Sequence, residues 1–488
     1  MKELTGELFP QIQRPVKVLQ FGEGNFLRGF ADYMIDIANE KGVFDGNIVI
    51  VKPIAYGSLD NFKAQDCRYH VSLRGLVDGN AQIINRTITS VTDVIDCYTD
   101  FEGFQKLAQL PDLRFVISNT TEAGIVFDSK DSITACPPVT FPGKLTAFLY
   151  ERYRYYQGDT SKGLIMLPVE LIDDNGTVLK ECVMKYISLW SLEEEFARWI
   201  EASCIFTSTL VDRIITGYPA DKEEEEWMKL GCRDRLLVTG EPFALWVIES
   251  MQDISNEFAL DKAGLPVLFT TSQKPYKQRK VRILNGAHTS FVLASYLCGN
   301  DIVRASMEDS DIYRFIEETI FEEVIPTLTL PREELEQFAR DVISRFKNPY
   351  VDHSLLAISL NSVSKWKARC LPSLMDYYKI KGKLPSHLTF SLAALAAFYH
   401  SDKMEDNALY GTRDGQEYKI FDDYQVLTFF KDHYKEEPEG FILKLLAQAS
   451  FWGFDLNEIP GFTDAVTNYY QDILSSGMRK ALCRLIKK

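Results

Sequence analysis

Apolar residues follow two different rhythms along this chain. In the first half they gather in short unbroken runs that close on a glycine or a polar turn: VKVLQFG (16–22), GNIVIVKP (46–53), LRFVISNTTEAG (113–124) and GLIMLPVELIDDNG (163–176). Runs of this length bounded by turn residues read as buried strands. Between the first two, FLRGFADYMIDIANEKG (26–42) spaces its apolar positions as an amphipathic helix ending on glycine. Buried strands separated by helices predict a parallel sheet with crossover helices, an α/β domain.

Past about residue 272 the rhythm becomes helical. DIYRFIEETIFEEVIP, REELEQFARDVISRF, HLTFSLAALAAFYH, EGFILKLLAQASFWGF and YYQDILSSGMRKALCRLIKK carry the helical period, and strand-like runs are scarce. The pattern predicts an α/β domain over 1–272 and a mostly α-helical domain over 273–488. The four glutamates at 223–226 predict a solvated helix face.

Composition narrows the function classes. With 46% hydrophobic and 25% charged residues the 488-residue chain is ordinary globular material. A net charge of −15 argues against nucleic acid and anionic membranes, both of which require a basic face. Nine scattered cysteines without a CxxC, and an N-terminus without an apolar leader, point to a reduced, cytoplasmic protein. The most apolar window, LTFSLAALAAFYH, is too short to span a bilayer. Six histidines without an HExxH pattern give no metal site.

Two stretches carry chemistry. FGEGNFLRGF puts Gly22 and Gly24 between the first strand and the first helix, where a dinucleotide fold needs a tight turn and a bare backbone facing the pyrophosphate. Phe21, Asn25 and Phe26 flank that turn and join it as cofactor-contact candidates. The third glycine of GxGxxG is absent, since Leu27 stands there and Gly29 follows two residues later. The second strand ends on Lys52 where an NAD fold has an acid, so Lys52 is a candidate for a 2′-phosphate and NADP stands beside NAD. The second stretch, KPYKQRKVRILNGAHTS (274–290), places five cations in nine residues ahead of Asn285 and His288. On an α-helix Lys280, Asn285 and His288 fall at 0°, about 140° and about 80°, one broad face. Asn285 and His288 suit the oxygen of a carbonyl or alkoxide. Lys280 suits an acid/base, its pKa depressed by Lys274, Lys277, Arg279 and Arg282 and by the helix start.

Together with SNTTEAGI (118–125) and VDRI (211–214), these motifs resemble the polyol-specific long-chain dehydrogenases, the mannitol dehydrogenase family, which includes the hexuronate reductases. The resemblance covers nearly the whole chain. It implies a Rossmann-type N-terminal domain for NAD and a helical C-terminal domain that closes over a small-molecule substrate. It implies chemistry without a metal, with Lys280 as acid/base, Asn285 at the oxyanion and His288 orienting the substrate. It puts Asn119 and Thr121 beside the cofactor. Glu122 either touches the cofactor or caps the next helix, and Asp212 with Arg213 forms an ion pair near the nicotinamide or a buried bridge. The chain departs from the mannitol branch at Leu171, Lys277 and Ala357, where that branch has asparagine, glutamate and arginine; Lys365 matches. The block 348–374 is similar to the uronate-reducing branch, which implies interconversion of D-tagaturonate and D-altronate in galacturonate breakdown, with fructuronate reduction or mannitol-type oxidation as the alternative. Lys277, Lys365, Lys367 or Arg369 would then take the substrate carboxylate, with His353 as a further contact. A monomer or small homo-oligomer is expected.

Overall fold

Six of the apolar runs and their neighbours build one parallel sheet: β1 (Val16–Phe21), β2 (Asn47–Lys52), β3 (Val91–Asp96), β4 (Phe115–Ser118), β5 (Ile165–Pro168) and β6 (Ile205–Phe206). They lie in a computed structural model that describes every residue except Asp78, Glu122 and Lys488. The chain forms two units, Met1–Gln273 and Lys274–Lys488.

In the first unit the strand order is β3-β2-β1-β4-β5-β6, every pair parallel. The chain starts in the middle, walks to one edge, crosses back and walks to the other. The carboxyl ends of β1 and β4 are therefore neighbours at the point where the order reverses, the crevice in which doubly wound sheets bind ligands. This is a Rossmann-type sheet. Its strands are buried on both faces because alternate residues serve different layers. Val18, Ile48 and Ile50 pack with the helix that follows β1, while Leu19, Phe21, Val49 and Val51 pack with Phe141–Tyr155 and Asn175–Leu189.

The strand content exceeds the expectation. A hairpin, Tyr69–Val77 with Asn80–Ile88, is inserted between β2 and β3 and pairs with Val238–Gly240 and Ile215–Gly217 in a four-stranded sheet. A further sheet joins Ser208–Asp212, Leu245–Glu249 and Val267–Thr270. The glutamate run is only partly a solvated face. It opens the helix Glu223–Leu230, but Glu226 is 2% exposed and pairs with Arg74 and with Lys229 at 3.2 Å.

The second unit is mostly helical. Gly286–Leu297 and Ser386–Phe398 pack on each other, and both are buried around most of their circumference. One small antiparallel sheet was not expected: Met404–Glu405, Ala408–Arg413 and Gln416–Ile420. Among the described residues no helix is long and apolar enough to cross a membrane.

Candidate functional site

In the first unit the glycine turn is forced by its neighbours. Gly22 sits at φ +118°, and a Cβ there would stand 3.0 Å from the Asn119 carbonyl oxygen at the end of β4. Only glycine meets both conditions. Gly24 has an ordinary φ of −65°, and a Cβ on it would meet nothing within 4 Å. It opens onto a cavity of about 440 Å³ lined by Gly22, Gly24, Pro53, Asn119, Thr121 and Phe141. The helix that starts there runs without a break through Asn25–Leu27, a π-helical segment Arg28–Asp32 and Tyr33–Glu40. A bare backbone at a long helix's N-terminus, with a cavity in front, suits the phosphates of a dinucleotide.

The third glycine is displaced, not absent. A Cβ on Gly29 would lie 2.7 Å from Ile215 Cδ1 and 3.0 Å from Val238 Cγ1. Gly29 thus does the close helix-to-strand packing that the last glycine of the fingerprint does, two residues late and inside the π segment.

The loop after β4 is pinned from below by Glu170, which the sequence did not single out. This carboxylate is 2% exposed and accepts from Ser118 Oγ at 3.1 Å and from Thr120 N and Oγ1 at 3.0 Å each. Burial raises its pKa despite these bonds. Thr121 stands at the cavity with φ +79°, a strained conformation for a β-branched residue. Glu122 lies outside the described residues.

The remaining candidates of this unit lie elsewhere. Lys52 is 2% exposed, with Nζ 2.9 Å from Asp96 Oδ2 and donating to the Gly57 carbonyl at 2.9 Å, so its charge is paired inside the protein. Phe21 is a core residue against Phe141, ring centroids 5.0 Å apart, and Phe26 stacks on Phe30. Asn25 is exposed and accepts from Arg28 at 2.6 Å. Asp212 is buried at the end of its strand. Arg213 donates to the carbonyls of Gly29, Pro242 and Phe243 at 2.7, 3.0 and 3.0 Å, and burial lowers it to about 10. Arg213 is therefore a clamp within its own unit.

In the second unit Lys274–Arg279, Lys280–Asn285 and Gly286–Leu297 form one continuous helix whose middle segment is π-helical. That corrects the angular estimate. An i→i+5 turn stacks residues five apart, so Lys280 and Asn285 share one stripe and are not separated by a third of the circumference. His288, three residues on in the α register, continues it. Gly286 lets the helix carrying Lys365 approach: a Cβ there would stand 3.3 Å from the Arg369 carbonyl oxygen.

Two cations of the basic run are structural. Arg279 is 3% exposed, donates to Glu334 at 2.5 Å and lies over the Phe338 ring at 4.4 Å. Arg282 donates to Asp376 at 2.5 Å and to Thr327 at 3.3 Å. Both cations tie the helix to its neighbours and are answered by carboxylates, so they supply less of the expected positive field on Lys280. Lys277 is half-buried on the first turn.

A positive field exists, but on His288. Burial, followed by repulsion from a proton on His353 and by the positive charges of Arg345, Arg369 and Lys365, lowers its pKa to about 3, so the ring is neutral at physiological pH; burial lowers His353 as well. Its Nε2 is buried and has no hydrogen-bond partner. Its ring packs on Phe346 at 4.3 Å and edge-on to His353 at 5.7 Å. Lys365 and Arg369 lie four apart on Ser362–Arg369, hence on one face. Lys365 Nζ donates to the Ile358 carbonyl at 2.9 Å, and Arg369 Nη1 to Thr289 at 3.4 Å. Partial burial lowers both their pKa values. Lys367 points elsewhere, its ammonium 3.6 Å from where a Cβ on Gly453 would be. Arg345 and Phe346 were missed; they come from the end of Arg332–Phe346, and no local motif marks them.

A family model described as the mannitol dehydrogenase Rossmann domain matches residues 16–262, and one described as the mannitol dehydrogenase C-terminal domain matches residues 273–474. The chain is 44% identical over 474 residues to an altronate oxidoreductase of Bacillus subtilis (strain 168), covering 96% of this chain and 95% of that protein. It is 42% identical over 489 residues to an altronate oxidoreductase of Escherichia coli O139:H28, covering 99% of each. Among solved structures, substrate-free D-sorbitol dehydrogenase superposes with a TM-score of 0.79 at 22% identity, covering 98% of this chain and all of that one (100%). Pseudomonas fluorescens mannitol 2-dehydrogenase, a ternary complex with NAD and D-mannitol, superposes with a TM-score of 0.64 at 22% identity, covering 100% of both chains.

Proposed function

The chain belongs to the mannitol dehydrogenase family and is an oxidoreductase, and from that premise we propose that it reduces the keto group of a hexuronate with NADH, D-tagaturonate to D-altronate. The observation that carries this reading is the cationic surround of His288. Lys365 and Arg369 share a helix face beside it, and Arg345 adds to the field. A carboxylate is the substrate group that such a set attracts, by charge-assisted hydrogen bonds that a neutral polyol cannot return. The relatives named altronate oxidoreductase support the same choice of substrate.

Reduced nicotinamide supplies the hydride to the carbonyl carbon. Lys280 delivers a proton to the carbonyl oxygen, so hydride and proton together convert C=O to CH–OH, and the lysine recovers its proton from solvent. Asn285 and His288, on the same stripe of helix, hold the oxygen as negative charge develops on it. Donors set in place beforehand are worth about 3 kcal/mol each. A substrate oxygen at His288 would give the buried Nε2 its missing partner. In the first unit Gly22 and Gly24 leave room for the cofactor phosphates, and Asn119 and Thr121 border the same cavity. The reaction would serve galacturonate breakdown.

The test is NADH and NADPH oxidation with tagaturonate, fructuronate and fructose side by side, in wild type and Lys280→Ala. Turnover of tagaturonate above the other two, lost by several orders of magnitude in the variant, is the expected result. Preference for neutral fructose would overturn the carboxylate assignment, and undiminished turnover by Lys280→Ala would overturn the proton donor.

A further inference from the structure

Beside the glycine turn, two buried side chains each keep one oxygen without a partner. Gln20 on β1 and Asp32 in the π segment are both 0% exposed. Gln20 Nε2 donates to the Gly22 carbonyl at 3.1 Å and to Asp32 Oδ2 at 3.4 Å, and the Tyr69 hydroxyl donates to the same Oδ2 at 2.5 Å. Gln20 Oε1 and Asp32 Oδ1 are left over, both buried and both without a hydrogen-bond partner. Orphaned buried acceptors cost roughly 1–3 kcal/mol each. Two of them on groups already joined by one bond call for a common cause.

A carboxylic acid and a primary amide meet through two parallel hydrogen bonds. The amide N–H donates to one acid oxygen, and the acid O–H donates to the amide oxygen. The first bond is present here, and the two atoms left over are the two that the second requires. We propose that Asp32 is held as the neutral acid, its Oδ1–H donating to Gln20 Oε1, and that this pair positions the Gly22 carbonyl and with it the turn that receives the dinucleotide. The pair stands on its own geometry; its consequence for the cofactor rests on the reading given under Proposed function.

Burial favours the neutral acid, and it outweighs the hydrogen bonds from Tyr69 and Gln20 and the charge of Arg28, all of which favour the ionised form. Burial is the largest influence and pushes the carboxyl up to about 7. Arg28 favours the ionised form, but its guanidinium donates to the Glu23 carbonyl at 3.1 Å, to Asn25 at 2.6 Å and to the Leu236 carbonyl. Asp36, four residues along the same helix, opposes ionisation. Tyr69 is buried with its pKa well above the ordinary value, so its hydroxyl stays a donor. Asp32 acts through Gln20 on the Gly22 carbonyl, as a positioning residue.

Asp32→Asn puts an amide N–H where the acid O–H stands and cannot ionise; Asp32→Leu keeps the bulk without either bond. NADH is titrated into the full chain by fluorescence from neutral to alkaline pH. Asp32→Leu is expected to bind NADH roughly tenfold more weakly or worse, with Asp32→Asn restoring the loss. Wild-type affinity should fall as pH rises through about 7, and that of Asp32→Asn should not. Thermal melts without nucleotide give a second readout. A proton retained from 3.8 up to about 7 stabilises the folded state at the low end of that window, so the wild type should lose stability relative to Asp32→Asn as pH rises across it. Asn binding NADH as poorly as Leu, or parallel melts, would overturn the proposal. Diverging melts with neither protein binding NADH or NADPH would overturn the cofactor reading and leave the acid–amide pair standing.

Discussion

His288 lies against Phe346 with ring centroids 4.3 Å apart, and the ring so covered has its pKa lowered to about 3. The depression comes from burial first and from the cations around the site second. A neutral imidazole can donate or accept at one nitrogen without bringing a charge that repels Lys365 or Arg369. His288→Gln should therefore cut kcat/KM about a hundredfold, the loss of one placed donor, without removing either limb of the pH–rate profile. A limb that disappears in the variant would show that His288 itself titrates. Stability gives the sign independently. The unfolded chain takes up this proton near 6.5 and the folded chain only near 3, so the wild type loses stability as pH falls through that window. His288→Gln should lose less.

Lys365 and Arg369 face the site on one side of their helix, while Lys367 turns to Gly453. Lys365→Met should raise KM for a hexuronate by about tenfold to a hundredfold, since bonds to charged groups are worth about 1.5–3 kcal/mol. Activity on a neutral ketose should change far less, because it has no carboxylate to lose. Lys367→Met should leave both unchanged. Steady-state kinetics on the two substrate classes decides it: equal losses on both would mean that Lys365 holds the fold and not the carboxylate.

Gly24 and Gly29 separate binding from packing within five residues. Gly24 has an ordinary φ of −65° and open space before it, so Gly24→Ala should fold as stably as wild type while raising the dissociation constant for NADH. Gly29→Ala places a methyl 2.7 Å from Ile215 Cδ1 and should cost about 1–3 kcal/mol in urea unfolding. Unfolding and NADH titration of both variants check the pair. A destabilised Gly24→Ala with intact NADH binding would argue against phosphates approaching there.

The two candidate sites stand out in the sequence because each is marked by residues that a special backbone or a chemical role would explain. Gly22 and Gly24 sit between a plainly apolar strand and a plainly periodic helix, so their place at the sheet's switch point followed from the pattern. The hairpin strand Asn80–Ile88 was not readable, since NAQIINRTI is largely polar and exposed and carries little apolar alternation. The π segments at Arg28–Asp32 and Lys280–Asn285 were invisible for a different reason: a period of 3.6 was assumed, and one extra residue per turn changes no composition. Their effects, the late third glycine and the shared stripe of Lys280 and Asn285, appear only once the backbone is known. Charge was legible as a count and not as a direction. Arg279 and Arg282 looked like a field on Lys280, yet long side chains reached Glu334 and Asp376, far away in sequence.

His387 is held between two carboxylates at the start of the helix that backs Gly286–Leu297. Its Nδ1 is 3.0 Å from Glu323 Oε1 and its Nε2 is 2.9 Å from Glu318 Oε2. Glu323 also accepts the backbone N–H groups of His387 and Leu388 at 2.8 Å each, capping Ser386–Phe398 at its positive end. Burial opposes protonation of His387, but the two carboxylates outweigh it and the pKa is raised above 6.5. A raised histidine contributes stability that is complete below 6.5 and is lost as pH climbs through the folded value. Glu323→Gln removes the charge and keeps the shape, so it should cost about 2 kcal/mol at acid to neutral pH, as bonds to charged groups do. The gap to wild type should narrow on the alkaline side, where His387 has lost its proton in both proteins. Thermal melts of the two across that range test it, and a gap that stays constant with pH would mean that the cap alone, without the histidine charge, accounts for the loss.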